Sequence, residues 1–212
     1  MIKNILMDVD GTLLDTKDCF YRSLKKTLQE YGMESMFDES TFGMSVDQAL
    51  KAMCIQSIPG IKERWEHLFE IECEHVNFYD GMEETMSVLS QNQIRIVIVT
   101  SRSRCTAQPL CECSVLSPYI EGYVAAEDTI LHKPNPEPIF KAIDLLEAKK
   151  EETIYIGDSF WDYCAASSAG IRFGHAGWNK DSQNKSYDMV FYHPLEMIAL
   201  IGEGNDGISK YL

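Results

Sequence analysis

The chain has 212 residues, of which 45% are hydrophobic and 25% are charged, a composition typical of a globular protein with a sizeable core. Its 19 basic and 33 acidic residues give a formal net charge of −14 at pH 7, which would repel nucleic acid and anionic membranes over most of the surface. The length predicts one large domain, or a domain of roughly 150 residues that carries a smaller insertion. Because the surface is mostly negative, a phosphorylated substrate would need local positive charge or hydrogen-bond donors, supplied by a divalent cation, a few lysines or backbone amides.

No stretch approaches the ~20 apolar residues that cross a bilayer, and Asp8 comes too early for the hydrophobic part of a signal peptide. The seven cysteines lie in segments typical of helices or core, so a disulfide framework is not expected. Cys105, Cys111 and Cys113 lack the spacing of a zinc site and are expected to be buried thiols. We expect a monomer or homodimer in a reducing cytoplasm, with neither nucleic acid nor membrane as a partner.

Short apolar runs recur along the chain, each followed by a polar turn, and predict strands at residues 2–7, 94–99, 123–126, 153–156, 171–173 and 188–191. One intervening helix is predicted to be capped by Asn135 and to begin at Pro136. Its expected buried face consists of Ile139, Phe140, Ile143 and Leu146. Another helix follows Ser159 and ends at Gly170. The alternation predicts an α/β fold with a Rossmann-like parallel sheet core and helices on both faces.

Residues 17–79 interrupt this alternation with three helical patterns and no convincing strand. The first pattern stops at Gly32, and the second begins with Ser45 and Gln48 at the spacing of a capping box. The third carries apolar residues at helical spacing from Ile61 to Val76. We therefore expect a small α-helical cap at 17–79, inserted after the first strand, between core segments at 1–16 and 80–212.

Polar side chains follow the predicted strands at the point where each strand ends. They are Asp8, Asp10, Thr100, Ser101, Lys133, Asp158 and Asp162. The carboxyl ends of parallel strands share one edge of a sheet, where ligands bind in open α/β folds, so these side chains should lie together. Asp8 and Asp10 are two residues apart and can address one ligand, while Gly11 lets the chain turn away.

The carboxylates in this set suit phosphoryl chemistry. Asp8 and Asp158 could supply the oxygen ligands that Mg²⁺ prefers. Asp8 could attack phosphorus and form an aspartyl-phosphate. Asp10 could serve as general acid and then as general base, if its surroundings raise its pKa relative to that of Asp8. Asp162 is less specific, because a helix dipole favours an acidic residue in its first turn whatever the function.

The remaining polar residues would bind the phosphoryl group. Thr100 and Ser101 would hold its oxygens, and Lys133 would offset negative charge as it builds. Arg102 and Arg104 could touch a second anionic group of a substrate, but exposure at a helix start is about as common, so we leave both outside the predicted site.

Four motifs resemble those of the haloacid dehalogenase-like hydrolase superfamily, in its phosphoglycolate phosphatase-like branch. In chain order they are DVDGT at 8–12, IVIVT at 96–100, KP at 133–134 and GDSFWD at 157–162. The resemblance implies a Mg²⁺-dependent phosphatase in which Asp8 is the nucleophile and a metal ligand. It also implies that Asp10 is the acid/base and gives its backbone carbonyl to the metal, that Asp158 completes the ligands, and that Asp162 lies at the metal's edge.

The helical insertion is similar to the type 1 cap of that branch, which closes over a small phosphorylated metabolite. The resemblance implies that the loop at 42–45 faces the active site. Pro109 departs from the pattern, because it falls inside the helix expected after Thr100 and predicts a kink or a late start there.

Other functions remain open from the sequence. A phosphosugar mutase of the β-phosphoglucomutase type differs mainly in passing the phosphoryl group to a sugar. A signalling receiver needs neither the cap nor Asp10, and a dehalogenase needs neither Asp10 nor Asp158. A non-catalytic phosphate-binding module would not require the full set of motif residues that this chain carries.

Overall fold

The computed structural model describes residues 1–179, 187 and 189–202. Its strands are β1 (Asn4–Met7), β2 (Arg95–Val99), β3 (Gly122–Val124), β4 (Thr153–Gly157), β5 (Arg172–Ala176) and β6 (Val190–Phe191). Its α-helices are α1 (Lys17–Glu30), α2 (Val46–Ala52), α3 (Ile61–Cys73), α4 (Met82–Gln91), α5 (Arg104–Cys113), α6 (Glu137–Leu146) and α7 (Phe160–Ala169). A 3₁₀ segment, Pro194–Gly202, follows β6.

The strands form one parallel sheet in the order β3-β2-β1-β4-β5-β6. The chain moves outward from β1 to β3 and then crosses to β4 on the other side of β1, so β1 lies at the point where the strand order reverses. Met7 of β1 pairs with Ile98 of β2 and with Ile156 of β4. Because all strands run the same way, their carboxyl ends open into one crevice. The predicted Rossmann-like α/β fold is confirmed.

Helices cover both faces of the sheet, and each face buries its own apolar cluster. The side that includes Ile5, Ile96 and Ile156 packs against α4, α5 and the 3₁₀ segment. The side that includes Leu6, Val97 and Tyr155 packs against α6 and α7. Since alternate residues of each central strand enter different clusters, both faces are apolar, as a doubly covered parallel sheet requires.

Several details differ from the sequence predictions, among them β3, which was predicted at 123–126 and spans Gly122–Val124. Phe140 was placed on the buried face of α6, but it is exposed, while Ala142 takes the buried position. The helix begins at Glu137, one residue later than predicted, although the Asn135 side chain still accepts a bond from the Glu137 amide at 3.0 Å. Strand β5 extends past the predicted 171–173 to Ala176. Asp188, predicted to begin the last strand, lies outside the described residues.

The helix that contains Pro109 begins at Arg104 and ends at Cys113, so Pro109 lies inside it and does not delay its start; the alternative of a kink stays a prediction. Among the three nearby cysteines, only Cys111 is buried; Cys105 and Cys113 are exposed, so the prediction of buried thiols is wrong for two of them. All seven cysteines are free. Within the described ranges, no helix combines the length and apolar character that a membrane span needs.

Helices α1, α2 and α3 share a separate apolar cluster, centred on Leu24, Leu28 and Trp65. Ser45 caps α2 in a capping box with Gln48, because the Ser45 hydroxyl accepts from the Gln48 amide and the Gln48 side chain accepts from the Ser45 amide. The two connections to the sheet lie side by side, since the Tyr79 amide donates to the Leu13 carbonyl at 3.0 Å. The exact domain limits at 16/17 and 79/80 stay a prediction.

Candidate active site

Asp8 is the first residue after β1 and is 5% exposed. Its amide donates to the Ile156 carbonyl at 2.9 Å, which continues the β1–β4 ladder by one residue and fixes the side chain beside the end of β4. The Lys133 ammonium donates to Asp8 Oδ1 at 2.7 Å. Burial raises the pKa of Asp8 to about 7 even though Lys133 lowers it, so Asp8 lies in a site with surplus negative charge.

Lys133 links Asp8 to two further buried groups. Its Nζ donates to Asp162 Oδ1 at 2.8 Å and to the Tyr155 hydroxyl at 3.1 Å, and its side chain is 3% exposed. Burial alone would lower the pKa of Lys133, but Asp162 and Asp8 raise it well above its ordinary value. Lys133 is therefore a fixed positive charge that holds two carboxylates together.

Asp162 uses both carboxylate oxygens within the protein. Oδ2 accepts from the Ser159 amide at 3.0 Å and from the Ser159 hydroxyl at 2.5 Å, which forms the capping box of α7. Oδ1 accepts from Tyr155 at 3.0 Å as well as from Lys133. With its oxygens engaged in this way, Asp162 orients Lys133 and is a poorer candidate than Asp8 or Asp158 for a metal ligand.

Asp158 follows β4, and its Oδ2 accepts from Asn179 Nδ2 at 3.1 Å. Burial first, and then the charges of Asp162 and Asp8, raise the pKa of Asp158 well above its ordinary value. Gly11 makes the approach of Asp158 possible, because a Cβ on Gly11 would lie 2.2 Å from Asp158 Oδ2. Gly11 also has φ +82°, a backbone conformation that is strained for any residue with a Cβ.

We expect Gly11→Ala to reduce strongly the phosphatase activity that the sequence motifs imply, because the new Cβ would displace Asp158 from Asp8. Gly32→Ala is the matched control, since Gly32 also has positive φ, +67°, but nothing lies within 4 Å of its Cβ position. Both changes should lower the free energy of unfolding by about 1–2 kcal/mol through backbone strain. Denaturant unfolding and Mg²⁺-dependent hydrolysis would be compared for the two variants; equal activities in both would contradict the role of the Gly11–Asp158 contact.

Asp10 faces a cation that the sequence analysis left outside the site. Arg102 Nε donates to Asp10 Oδ2 at 2.9 Å and to Oδ1 at 3.2 Å, and Arg102 Nη2 donates to Oδ1 at 2.7 Å. The Thr16 hydroxyl adds a bond to Oδ1 at 2.6 Å. The side chains of Arg102 and Asp10 are 9% and 17% exposed, so this is a largely desolvated, bidentate ion pair. Arg104 instead points outward to Asp128 and Tyr123.

This ion pair reverses the expected order of the two aspartate pKa values. Burial alone raises the pKa of Asp10, but the charge and hydrogen bonds of Arg102 outweigh it and lower the pKa below the ordinary value. The pKa of Asp8, by contrast, is raised to about 7. The expected role of Asp10 as general acid requires its pKa to be raised relative to that of Asp8. Asp10 is instead held ionised, and it must part from Arg102 before it can donate or accept a proton.

Thr100 and Ser101 have different surroundings. Thr100 is buried, and its hydroxyl accepts from the Arg102 amide at 3.1 Å, which shapes the turn after β2. Ser101 lies at the cavity wall and donates to the Gly43 carbonyl, in the predicted cap loop, at 3.1 Å. Gln48 of α2 donates to the Lys133 carbonyl at 3.0 Å. The helical insertion therefore contacts the same loops that carry the predicted site residues.

A cavity of about 40 Å³ lies between the strand ends and the helical insertion. Asp8 and Asp10 form part of its wall on the sheet side. On the opposite side the lining is mostly apolar and aromatic, with the acidic Glu66 beside Phe20, Phe42, Met44, Val46, Trp65 and Phe69. The loop at 42–45 thus faces the cavity through Phe42, Gly43 and Met44, as the sequence analysis expected. The structure brings all seven predicted site residues to this edge of the sheet; their chemical roles stay predictions.

The donor set fits a divalent cation. Oxygen atoms of Asp8, Asp158 and Asp162 lie within 4.8 Å of one another. Lys133 and Arg102 balance only two of the four carboxylates in the site, and burial together with the charges of neighbouring carboxylates raises the pKa values of Asp8 and Asp158. Two hard carboxylates with surplus negative charge are what Mg²⁺ binds.

Comparison with known proteins agrees with this geometry. The sequence profile described as haloacid dehalogenase-like hydrolase matches residues 5–176. A pyrophosphatase PpaX from Bacillus mycoides is 30% identical over 183 residues, which cover 84% of each chain. A second one, from Halalkalibacterium halodurans, is 29% identical over 183 residues with the same coverage.

Two solved structures share the fold. A candidate phosphoglycolate phosphatase from Lactobacillus plantarum aligns with a TM-score of 0.84 at 22% identity, over 94% of this chain and 99% of its own. CbbY from Rhodobacter sphaeroides, solved with phosphate, aligns with a TM-score of 0.77 at 19% identity, over 93% and 96%. The name of the two sequence relatives, pyrophosphatase, supports the expected enzyme class. By the profile match and the 30% identical relative, the chain belongs to the haloacid dehalogenase-like hydrolase family.

Proposed function

We propose that the protein is a Mg²⁺-dependent phosphatase that hydrolyses a small phosphorylated metabolite through a phosphoryl group carried by Asp8. The observation that supports this most is the constellation of Asp8, Lys133 and Asp158, in which two buried charged groups and one half-buried carboxylate from separate loops meet at the point where the strand order reverses. If Asp8 were only the solvated end of a strand, it would not share a lysine that also donates to Tyr155 and Asp162.

Asp8 would be the nucleophile because it lies at the cavity and is held by only one strong cation contact, Lys133 Nζ at 2.7 Å. Its attack forms a bond from a carboxylate oxygen to phosphorus while the bond from phosphorus to the leaving oxygen breaks. Asp10 would give a proton to the leaving oxygen and later take one from the water that hydrolyses the aspartyl-phosphate. Ser101 and Lys133 would bind the phosphoryl oxygens, since both lie beside Asp8 at the strand ends.

Asp8 and Asp158 would hold Mg²⁺, with Asp162 outside the ligand set, and the bound ion would supply positive charge that lets an anionic phosphate approach these carboxylates. The helical insertion would exclude water from the reacting group, because its apolar side chains face the cavity. We infer a reducing cytoplasm as the site of action, since all seven cysteines are free.

Hydrolysis of p-nitrophenyl phosphate tests the proposal most directly. We expect release of p-nitrophenolate and inorganic phosphate with Mg²⁺, no reaction after treatment with EDTA, and full recovery when Mg²⁺ is restored. A panel with pyrophosphate and phosphoglycolate, the compounds in the relatives' names, would follow. Activity unaffected by EDTA would contradict the proposal, and transfer to a sugar instead of phosphate release would favour a mutase.

We expect Asp10→Asn to slow turnover by about 10²–10⁴-fold, the usual contribution of a general acid or base. The p-nitrophenolate group leaves without a proton, so phosphorylation of Asp8 should proceed while hydrolysis of the aspartyl-phosphate stalls. A rapid-quench experiment should then show a burst of about one p-nitrophenolate per protein. Asp15→Asn is the control, because Asp15 is an exposed carboxylate in the same segment. Turnover near that of the unmodified protein would leave Asp10 without this role.

A further inference from the structure

Arg102 stands between Asp10 and the helical insertion. Its guanidinium binds both oxygens of Asp10, and its Cζ lies 5.0 Å from the centre of the Phe69 ring on α3. Of the described residues that line the cavity, Arg102 is the only one with a positive charge. Arg102 therefore binds the proposed acid/base residue Asp10, lines the cavity and contacts the helical insertion.

This arrangement blocks Asp10 in the absence of substrate. Three contacts from Arg102 and one from Thr16 occupy its carboxylate, so a leaving oxygen or a water cannot bind there without replacing one of them. A bidentate guanidinium in a site that excludes water is released readily only to another anion of suitable geometry. The transferred phosphoryl group cannot serve, because it must lie at Asp8.

We propose that Arg102 is a specificity residue that exchanges Asp10 for a second anionic group on the substrate, so that a substrate with such a group frees Asp10 for proton transfer. The substrate class is then a phosphomonoester or diphosphate whose leaving group carries a carboxylate or phosphate. Esters with uncharged leaving groups offer Arg102 no second anion, so they release Asp10 less often and react more slowly. This inference rests on the proposed function and adds to it the chemistry of the leaving group.

A kinetic comparison of two alkyl phosphates tests the specificity. The leaving group of phosphoglycolate carries a carboxylate, and ethyl phosphate is its counterpart with an uncharged leaving group. In Arg102→Met, we expect the ratio of kcat/KM for phosphoglycolate to kcat/KM for ethyl phosphate to fall by about 10²-fold, the cost of removing one partner of a buried charge pair. Arg102→Lys keeps the positive charge but lacks the bidentate geometry of the guanidinium. Its ratio should therefore lie between that of Arg102→Met and that of the unmodified protein.

Arg104→Met is the matched control, because Arg104 points away to Asp128 and should leave the ratio unchanged. A ratio in Arg102→Met within threefold of that of the unmodified protein would overturn the proposal, even if both rates fell. If the unmodified protein hydrolysed neither ester nor p-nitrophenyl phosphate, the proposed phosphatase function itself would fail, which is a separate result.

A binding experiment tests the exchange without catalysis. Phosphonoacetate carries a second anionic group, and ethylphosphonate does not. In calorimetric titrations with Mg²⁺ present, Asp10→Asn should bind phosphonoacetate about tenfold more tightly than the unmodified protein does, because Arg102 no longer has to leave a carboxylate. Ethylphosphonate should bind both proteins equally. Equal or weaker binding of phosphonoacetate by Asp10→Asn would show that Arg102 does not exchange partners.

Discussion

Replacing Asp8 with Asn is expected to abolish hydrolysis, with a loss of about 10⁴-fold or more in kcat. The amide has nearly the same volume as the carboxylate, and its oxygen can still accept the bond from Lys133 Nζ, which is 2.7 Å away. What disappears is the nucleophile, since an amide oxygen is far less able to form a bond to phosphorus. The loss should therefore appear in kcat and in the phosphorylation of the protein, while the fold is retained.

Two measurements separate this result from damage to the fold. Mass spectrometry of acid-quenched protein should find one added phosphoryl group on the unmodified chain during turnover and none on Asp8→Asn. Denaturant unfolding should show that the variant is folded. Because folding raises the pKa of Asp8 and Lys133 keeps its contact with Asp162, replacing the ionised carboxylate with an amide is expected to stabilise the metal-free protein at pH 8. Asp15→Asn again serves as the exposed control. Turnover by Asp8→Asn within tenfold of the unmodified rate would assign the nucleophile elsewhere.

The sequence predicts the sheet and the carboxylates of the site because both follow from local patterns. A run of apolar residues that ends in Asp8 specifies a buried strand with a polar end, and the rule that parallel strands share one edge then brings Asp158 near it. The order of the four sequence motifs then implied the chemical roles expected of these residues. These predictions need no knowledge of side-chain rotamers.

Arg102 and Tyr155 could not be placed in this way. Arg102 follows Ser101 at a helix start, where an arginine is commonly solvated, and its contact with Asp10 spans 92 residues of sequence. Tyr155 is inside a buried strand and reads as core, yet its hydroxyl donates to Asp162 and accepts from Lys133. One signal was available: four predicted carboxylates faced a single predicted lysine, which is a charge imbalance that a second cation or a metal must offset.

Phe140 shows a different limit of periodicity. A helix of ten residues that packs on a sheet has room for a narrow apolar face, and the small Ala142 fits there between Ile139 and Ile143. Phe140 then lies at the edge of that face, where Lys150 Nζ approaches its ring at 4.6 Å. The 3.6-residue period identified the helix, but the neighbouring strand decided which apolar residue is buried.

Replacing Lys133 with Met is expected to affect both catalysis and stability more than any other change of a cation in the described part of the site. The side chain is 3% exposed and binds Asp8, Asp162 and Tyr155. Met fills a similar volume but leaves two buried carboxylates facing each other, a change that costs about 3–5 kcal/mol when one partner of a buried ion pair is removed. Activity should fall by about 10³-fold or more with Mg²⁺ present, since Lys133 also offsets charge on the reacting phosphoryl group.

The pH dependence distinguishes lost charge from lost packing. The pKa of Asp8 is raised from 3.8 to about 7 in the folded protein with Lys133 present, and burial with no lysine nearby raises it further. A carboxyl group whose pKa is raised on folding binds a proton that the unfolded chain does not, so its contribution to stability is present at low pH and is lost as the pH rises through the folded-state pKa. Metal-free Lys133→Met should therefore lose more stability at pH 8 than at pH 5, relative to the unmodified protein. Denaturant unfolding at the two pH values measures this difference, with the exposed Lys3→Met as control; an equal loss at both values would mean that Lys133 acts through packing rather than through its charge.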